Sequence, residues 1–310
     1  VAGGSGDEVE VHVALLRSGG FCDPLADRGG PVIQQHVTSA LREALQIESE
    51  PVPEEATARA GRNTPDVFGF GLLDAVPDKR ILAHADPDDR NHDGISGRPN
   101  RFFDGRLGRF GRKALVPSLR EFNDGAFGAE LGITNPAVPA EQTVGGKPIP
   151  AGADPVRDPE IDQKTTEDAD AFVRFLAPPA PLALNHKGEH GRKLFSRLGC
   201  AACHLPVLKA GDNPVKALRH KKFAAYTDLL LHDMGPDLSD ICLGLASPSE
   251  FRTEPLMGLH LMSRFLHDGR AETLEQALLL HGGEAARARD RYKALREEDR
   301  AALIEFLKSL

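Results

Sequence analysis

The stretch "LFSRLGCAACHLP", Leu194 to Pro206, puts Cys200 and Cys203 three residues apart with His204 directly behind them. C-x-x-C-H is the spacing at which a chain takes a c-type haem. The two thiols add across the two vinyl groups of the porphyrin, and the adjacent imidazole reaches the iron from one face. Two other chemistries fit less well. A zinc site wants a second Cys/His pair at ligand spacing, and Cys22 and Cys242 stand alone. A dithiol redox pair gives no reason for the histidine. The spacing therefore predicts covalent haem c on Cys200 and Cys203, with His204 on the iron.

A six-coordinate iron needs a ligand on its other face. Twelve histidines and three methionines are available. In "FLHDGRAETLEQALLLHGG", His267 and His281 flank a helix expected to begin near Thr273, and Met257 and Met262 lie just upstream. A second pattern concerns a hard cation. In "DPDDRNHDGISGRPN", Asp89, Asn91 and Asp93 alternate ahead of Gly94, like the first half of an EF-hand loop. The twelfth position holds Asn100, not the bidentate glutamate, so further ligands are expected from Asp86, Ser96 or a backbone carbonyl such as that of Ile95. The pattern predicts a structural calcium site.

These residues need elements to position them. Apolar spacing and terminus signals predict helices at Gln34–Gln46, Thr166–Ala177, Glu189–Leu198, Leu274–Leu280 and Arg296–Lys308. "VEVHVALLR", Val9–Arg17, alternates like a short strand, and 136–161 reads as a long loop rich in Pro and Gly. Pro178, Pro179 and Pro181 close a helix and predict a boundary near 180. Two segments repeat in the same order. "TEDADAFVRFLA" is similar to "EEDRAALIEFLK", and "RNTPDVFGFGLL" to "FRTEPLMGLHLM". Duplication of one unit would place both pairs so. The expected fold is mainly α: two tandem cytochrome c-like domains, 1–180 and 181–310, with long loops and little β. Net charge is −8 and no basic run occurs, which disfavours nucleic acid. No apolar run is long enough to span a membrane. The chain opens at Val1, which reads as a processed or truncated start.

The string "FRTEPLMGLHLMSRFLHDGRAETLEQALLLHGG" resembles the C-terminal haem domain of the bacterial di-haem cytochrome c peroxidase superfamily. "LLLHDMGPDL", "ELGITNP" and "DPDDRNHDGISGRPNRF" are similar to signatures of its di-haem oxidoreductase branch, also called thiol oxidoreductases. The resemblance runs the length of the chain. It implies that His281 stands where the peroxidases carry the sixth ligand, a Met there, giving His204/His281 ligation with Met257 and Met262 as rivals. It implies that His267, Arg252 and His232 lie near the haem. It also implies a calcium ion, a periplasmic location, a redox protein partner and a small oxidant such as peroxide. The activity would be peroxidase-like, with electrons passing through the C-terminal haem, or the protein would be a non-enzymatic electron carrier or cytochrome subunit.

The chain departs from the family in one respect: one C-x-x-C-H stands where the family has two. "VAGGSGDEVEVH" is similar to the sequence just after the first motif, so a first haem is expected upstream of Val1, with His12 as its ligand and Arg62 nearby; the alternative is a natural mono-haem variant. Glu121 and Glu130 are unsupported candidates for a peroxide acid/base. Arg112 stands where relatives carry a Trp relay. Cys22 and Cys242 are either paired, as export favours, or two buried thiols.

Overall fold

A computed structural model describes residues 9–18 and 21–310. The amino-terminal half opens on strand β1 (Glu10–Leu16), where alternating residues turn Val11 and Val13 into a small core. β2 (Cys22–Asp23), β3 (Val32–Ile33) and β4 (Ala58–Arg62) all pair with β1 in antiparallel fashion, β4 in the register Glu10↔Arg62. Helices α1 (Ser39–Leu45), α2 (Phe70–Asp74), α3 (Asp78–Leu82), α4 (Leu119–Leu131) and α5 (Gln163–Phe175) follow. The carboxy-terminal half contains α6 (His186–Leu198), hairpin β5–β6 (Leu208–Lys209 and Lys222–Phe223) and ladder β7–β8 (Leu231–Asp233 and Glu250–Arg252). It closes with α7 (Leu274–Leu280), α8 (Ala286–Lys293) and α9 (Glu297–Leu307).

The expected elements appear with edited ends. The helix expected from Gln34 starts only at Ser39, because Val32 and Ile33 are drawn into the sheet and Thr38 caps the helix, its hydroxyl accepting from Leu41 N at 3.3 Å. α6 begins at His186 because Asn185 caps it, accepting from Gly188 N at 2.8 Å. Residues 132–162 hold no regular element. The balance differs from the mainly α expectation. Helix makes up 32 % of the chain and strand 13 %, so the sheet around β1 is a real component of the fold.

Two cores matter for the site. One gathers Phe70, Phe110 and Leu119 with Leu229, Leu230 and Met257, so it joins residues from both sides of position 180. The other packs α6 on α9 through Leu194, Phe195, Leu303 and Phe306. A Cβ at Gly191 would lie 1.9 Å from the Ala302 carbonyl, so glycine lets these two helices meet backbone to backbone. Cys22 and Cys242 form a disulfide, Cα to Cα 5.6 Å, tying β2 to the segment after β7. Beside it, Asp240 lies buried between Arg62 Nη2 at 2.8 Å and Lys113 Nζ at 2.9 Å.

A histidine-lined cavity as candidate haem site

α6 ends at Gly199, whose φ of +102° turns the chain into a single 3-10 turn, Cys200–Ala202. That turn delivers Cys200, Cys203 and His204 to the wall of a cavity of about 390 Å³. The volume lies in the range of small-molecule and cofactor pockets. Phe195, Leu198, Leu256, Leu259 and Leu278 give it apolar walls. α7 supplies the facing residue. Thr273 caps its start, accepting from Gln276 N at 3.1 Å, and its last turn runs into His281 ahead of Gly282 and Gly283. His281 lines the same cavity.

The two imidazoles are oriented alike. His204 Nδ1 donates to the Tyr226 carbonyl at 2.9 Å, and His281 Nδ1 donates to the Ala277 carbonyl at 2.7 Å. A carbonyl only accepts, so each Nδ1 carries the proton and each Nε2 keeps a lone pair for a metal. Tyr226 sits at φ +50°, a costly conformation for a residue with a side chain, and there its carbonyl meets the ring of His204. Burial holds His204 down to about 4 and lowers His281 as well, so both rings stay neutral. Burial pushes the Cys200 thiol up to about 11 and raises Cys203 too.

A buried polar system adjoins the thiols. His232 donates from Nε2 to Asp228 at 2.8 Å and from Nδ1 to Glu284 at 2.7 Å, with Cys203 Sγ 3.5 Å from Nδ1. Burial alone would depress His232. The hydrogen bonds to Asp228, Cys203 and Glu284 outweigh it and push the ring up to about 12. Glu284 also accepts from Ser96 Oγ at 2.6 Å and Ser96 N at 3.1 Å. The loop before α4 is thereby fastened to the cavity.

The remaining expected residues divide. Arg252 and His267 line the cavity, and His267 stacks on Phe251 with centroids 4.1 Å apart. Met262 lines it, whereas Met257 packs in the other core. His12 lies on β1 beside Glu10 at 3.1 Å and does not line the cavity. Glu121 pairs with Arg106 at 2.6 Å, and Glu130 is exposed at the end of α4. Asp93 and Ile95 reach the cavity rim. Asp86, Asp89, Asn91 and Asp93 turn side-chain oxygens to the N–H groups of their own loop, the Asp89 carboxylate taking Gly94 N at 3.1 Å. Among the described residues the acidic oxygens that converge belong instead to Glu141, Asp154 and Asp158. Much of "VAGGSGDEVEVH" lies outside the described residues.

Sequence reasoning missed Met234, Thr253, Glu254 and Tyr292, all of which line the cavity. Arg112, singled out for another reason, lines it as well. Glu254 Oε2 takes Arg112 at 2.8 Å and Arg252 at 2.7 Å. Arg112 Nε, Arg252 Nε and Thr253 Oγ1 are buried with no partner. Donors of this kind ask for an acceptor from the cavity. A haem has two carboxylates to offer. Paired thiols, two neutral imidazoles with open Nε2 atoms, apolar walls and orphaned donors together fit a covalent haem.

The site thus has the chemistry of a c-type haem centre. A family model described as "Di-haem oxidoreductase, putative peroxidase" matches residues 39–310, and the chain belongs to that family. Among solved structures, a MauG-like protein associated with microbial copper homeostasis is 15 % identical, over 85 % of this chain and 93 % of its own, with a TM-score of 0.39. Hydrazine synthase of Kuenenia stuttgartiensis is 20 % identical over 48 % of this chain, with a TM-score of 0.33, and the match spans 55 % of that chain. No curated protein matches.

Proposed function

We propose that the chain is a periplasmic c-type haem oxidoreductase of peroxidase-like activity, with electrons passing through the haem held by its carboxy-terminal half. Cys200 and Cys203 are the covalent anchors, and His204 and His281 hold the iron. The observation that carries this is the matched pair of imidazoles on one cavity, each with Nδ1 bound to a backbone carbonyl and Nε2 open. When bound, the haem supplies one-electron redox chemistry. The chain's own residues set its terms. The carbonyls of Tyr226 and Ala277 fix the ring orientations. Arg112, Arg252 and Thr253 offer donors to carboxylates, and the leucine walls keep water out.

The reading extends to two cytochrome c-like halves, 1–180 and 181–310, with a first haem carried upstream and met by His12. A parallel supports duplication. Arg62 ends β4 and Arg252 ends β8, and each is followed by a glycine of positive φ that opens a helical turn, Gly69 at +71° and Gly258 at +77°. Calcium in the Asp86–Ile95 loop also belongs to the proposal, supported by the order of its oxygen donors. Peroxide is the oxidant and a redox protein the partner. No described helix is long and apolar enough to cross a membrane.

A second reading, an electron carrier, is favoured by one feature: two histidines with open Nε2 atoms line the cavity, and if both held an iron they would leave it no position for peroxide. Absorption spectra of the full-length protein with peroxide and with carbon monoxide decide between them. Haem bands that respond support the oxidoreductase, and bands indifferent to both support the carrier. A pyridine haemochrome test without c-type haem overturns both.

A further inference from the structure

The chain has no Trp and two Tyr, so its aromatic residues offer few easily oxidised groups. One of the two phenols, Tyr292 on α8, lines the haem cavity with only 2 % of its surface exposed. Its hydroxyl donates to Glu275 Oε1 at 3.0 Å. Glu275 lies in the first turn of α7 and is exposed to solvent. The same helix ends at His281. A phenol that borders the cavity is therefore joined, by one hydrogen bond, to a carboxylate at the surface.

Oxidising a buried phenol without moving its proton would leave a phenoxyl cation in a medium that solvates charge poorly. A carboxylate already bonded to the hydroxyl removes that cost by taking the proton as the electron departs. From this juxtaposition we propose that Tyr292 is a redox relay between the haem cavity and the surface, with Glu275 as its proton acceptor.

The step balances. Hydrogen peroxide takes two electrons and two protons and gives two waters. Tyr292 supplies one electron, passing its proton to Glu275 and becoming a neutral phenoxyl radical; the other electron comes from an external one-electron donor, and solvent supplies the two protons that peroxide takes up. An external one-electron donor then restores the phenol, with Glu275 returning the proton. Burial and the bond to Glu275 push the Tyr292 phenol up to about 12, so the residue is a protonated donor at rest.

The proposal rests on the peroxidase-like reading, and one experiment separates the two. The full-length holoprotein is mixed with hydrogen peroxide, freeze-quenched, and followed by haem absorption and electron paramagnetic resonance. The expected result is a haem response plus a radical signal with the hyperfine pattern of a phenoxyl. Tyr292→Phe removes only the hydroxyl and abolishes that signal with the resting haem bands unchanged. Glu275→Gln keeps a hydrogen-bond acceptor but slows radical formation roughly a hundredfold, the lower end for loss of a positioned proton acceptor. A haem response with no phenoxyl signal, or a signal that survives Tyr292→Phe, overturns the relay alone. Haem bands that ignore peroxide overturn the relay together with the peroxidase-like reading.

Discussion

His204 and His281 are held in one tautomer by the same device, a backbone carbonyl at Nδ1, 2.9 Å away for the first and 2.7 Å for the second. The device fixes ring orientation and leaves each Nε2 free to face the cavity. If both rings hold one iron, His281→Ala removes a strong-field ligand and nothing else of that strength replaces it. The expected outcome is a low-spin haem turned high-spin in the absorption spectrum. An unchanged low-spin spectrum would assign the position to Met262 or Met234, both on the cavity wall.

The four cysteines divide into two kinds by chemistry. Cys22 and Cys242 form a disulfide that a reductant opens; Cys200 and Cys203 are not paired with each other, and as the proposed thioethers to haem they would resist reduction. Thiol titration of the denatured holoprotein after reduction should therefore find two thiols of the four. Four would show that no haem is attached. The disulfide closes a long loop, so replacing both of its cysteines by serine should cost about 2–5 kcal/mol in urea unfolding.

Glu141 gives a pH signature outside the cavity. Burial, then the nearby carboxylates of Asp158, Asp154 and Glu160, push it from 4.5 up to about 7. Between these values the folded chain holds a proton that the unfolded chain has released. The group's contribution to stability is then complete below pH 4.5 and is lost as pH rises through 7. Glu141→Gln should match the parent in melting temperature in acid and exceed it at neutral pH. A difference that does not change with pH would count against the raised carboxyl.

The C-x-x-C-H motif stood out because its pattern is local: two thiols and an imidazole within five residues need no tertiary information, and the structure puts all three on one cavity wall. His281 could be singled out because, by resemblance, it stands where the peroxidases carry a ligand, just after the helix that Thr273 caps. Tyr226 could not, because it acts through a carbonyl that every residue has. Arg112, Thr253 and Glu254 were equally silent, since their role depends on β8 running beside the loop that holds Arg112, whose carbonyl takes Arg252 N at 2.9 Å. The sheet around β1 was half seen. β1 alternates clearly, but β2 and β3 are two residues each, too short for any period to register. α4 was missed because Gly125 and Gly128 interrupt its apolar stripe; Gly128 is packed against Val138.

Asp240 joins the two halves through buried charge. It stands 2.8 Å from Arg62, which ends β4, and 2.9 Å from Lys113, and all three are buried. It acts on both cations by charge, and on Lys113 by a hydrogen bond as well. Lys113 shows how finely this is balanced. Burial pulls it down to about 8, and Asp240 is the main influence opposing that. The ammonium lies 3.7 Å from the centre of the Phe251 ring, which also stacks on His267, and both of those rings line the cavity. Asp240→Asn keeps the shape and removes the charge, leaving two buried cations without their counter-ion. Breaking a buried pair in this way costs about 3–5 kcal/mol. Urea unfolding of the variant should show that loss. Asp240→Asn with Lys113→Met should recover part of it, because one of the stranded cations is gone. A single variant as stable as the parent would mean that the cluster is solvated, and that the two halves are held by their apolar core instead.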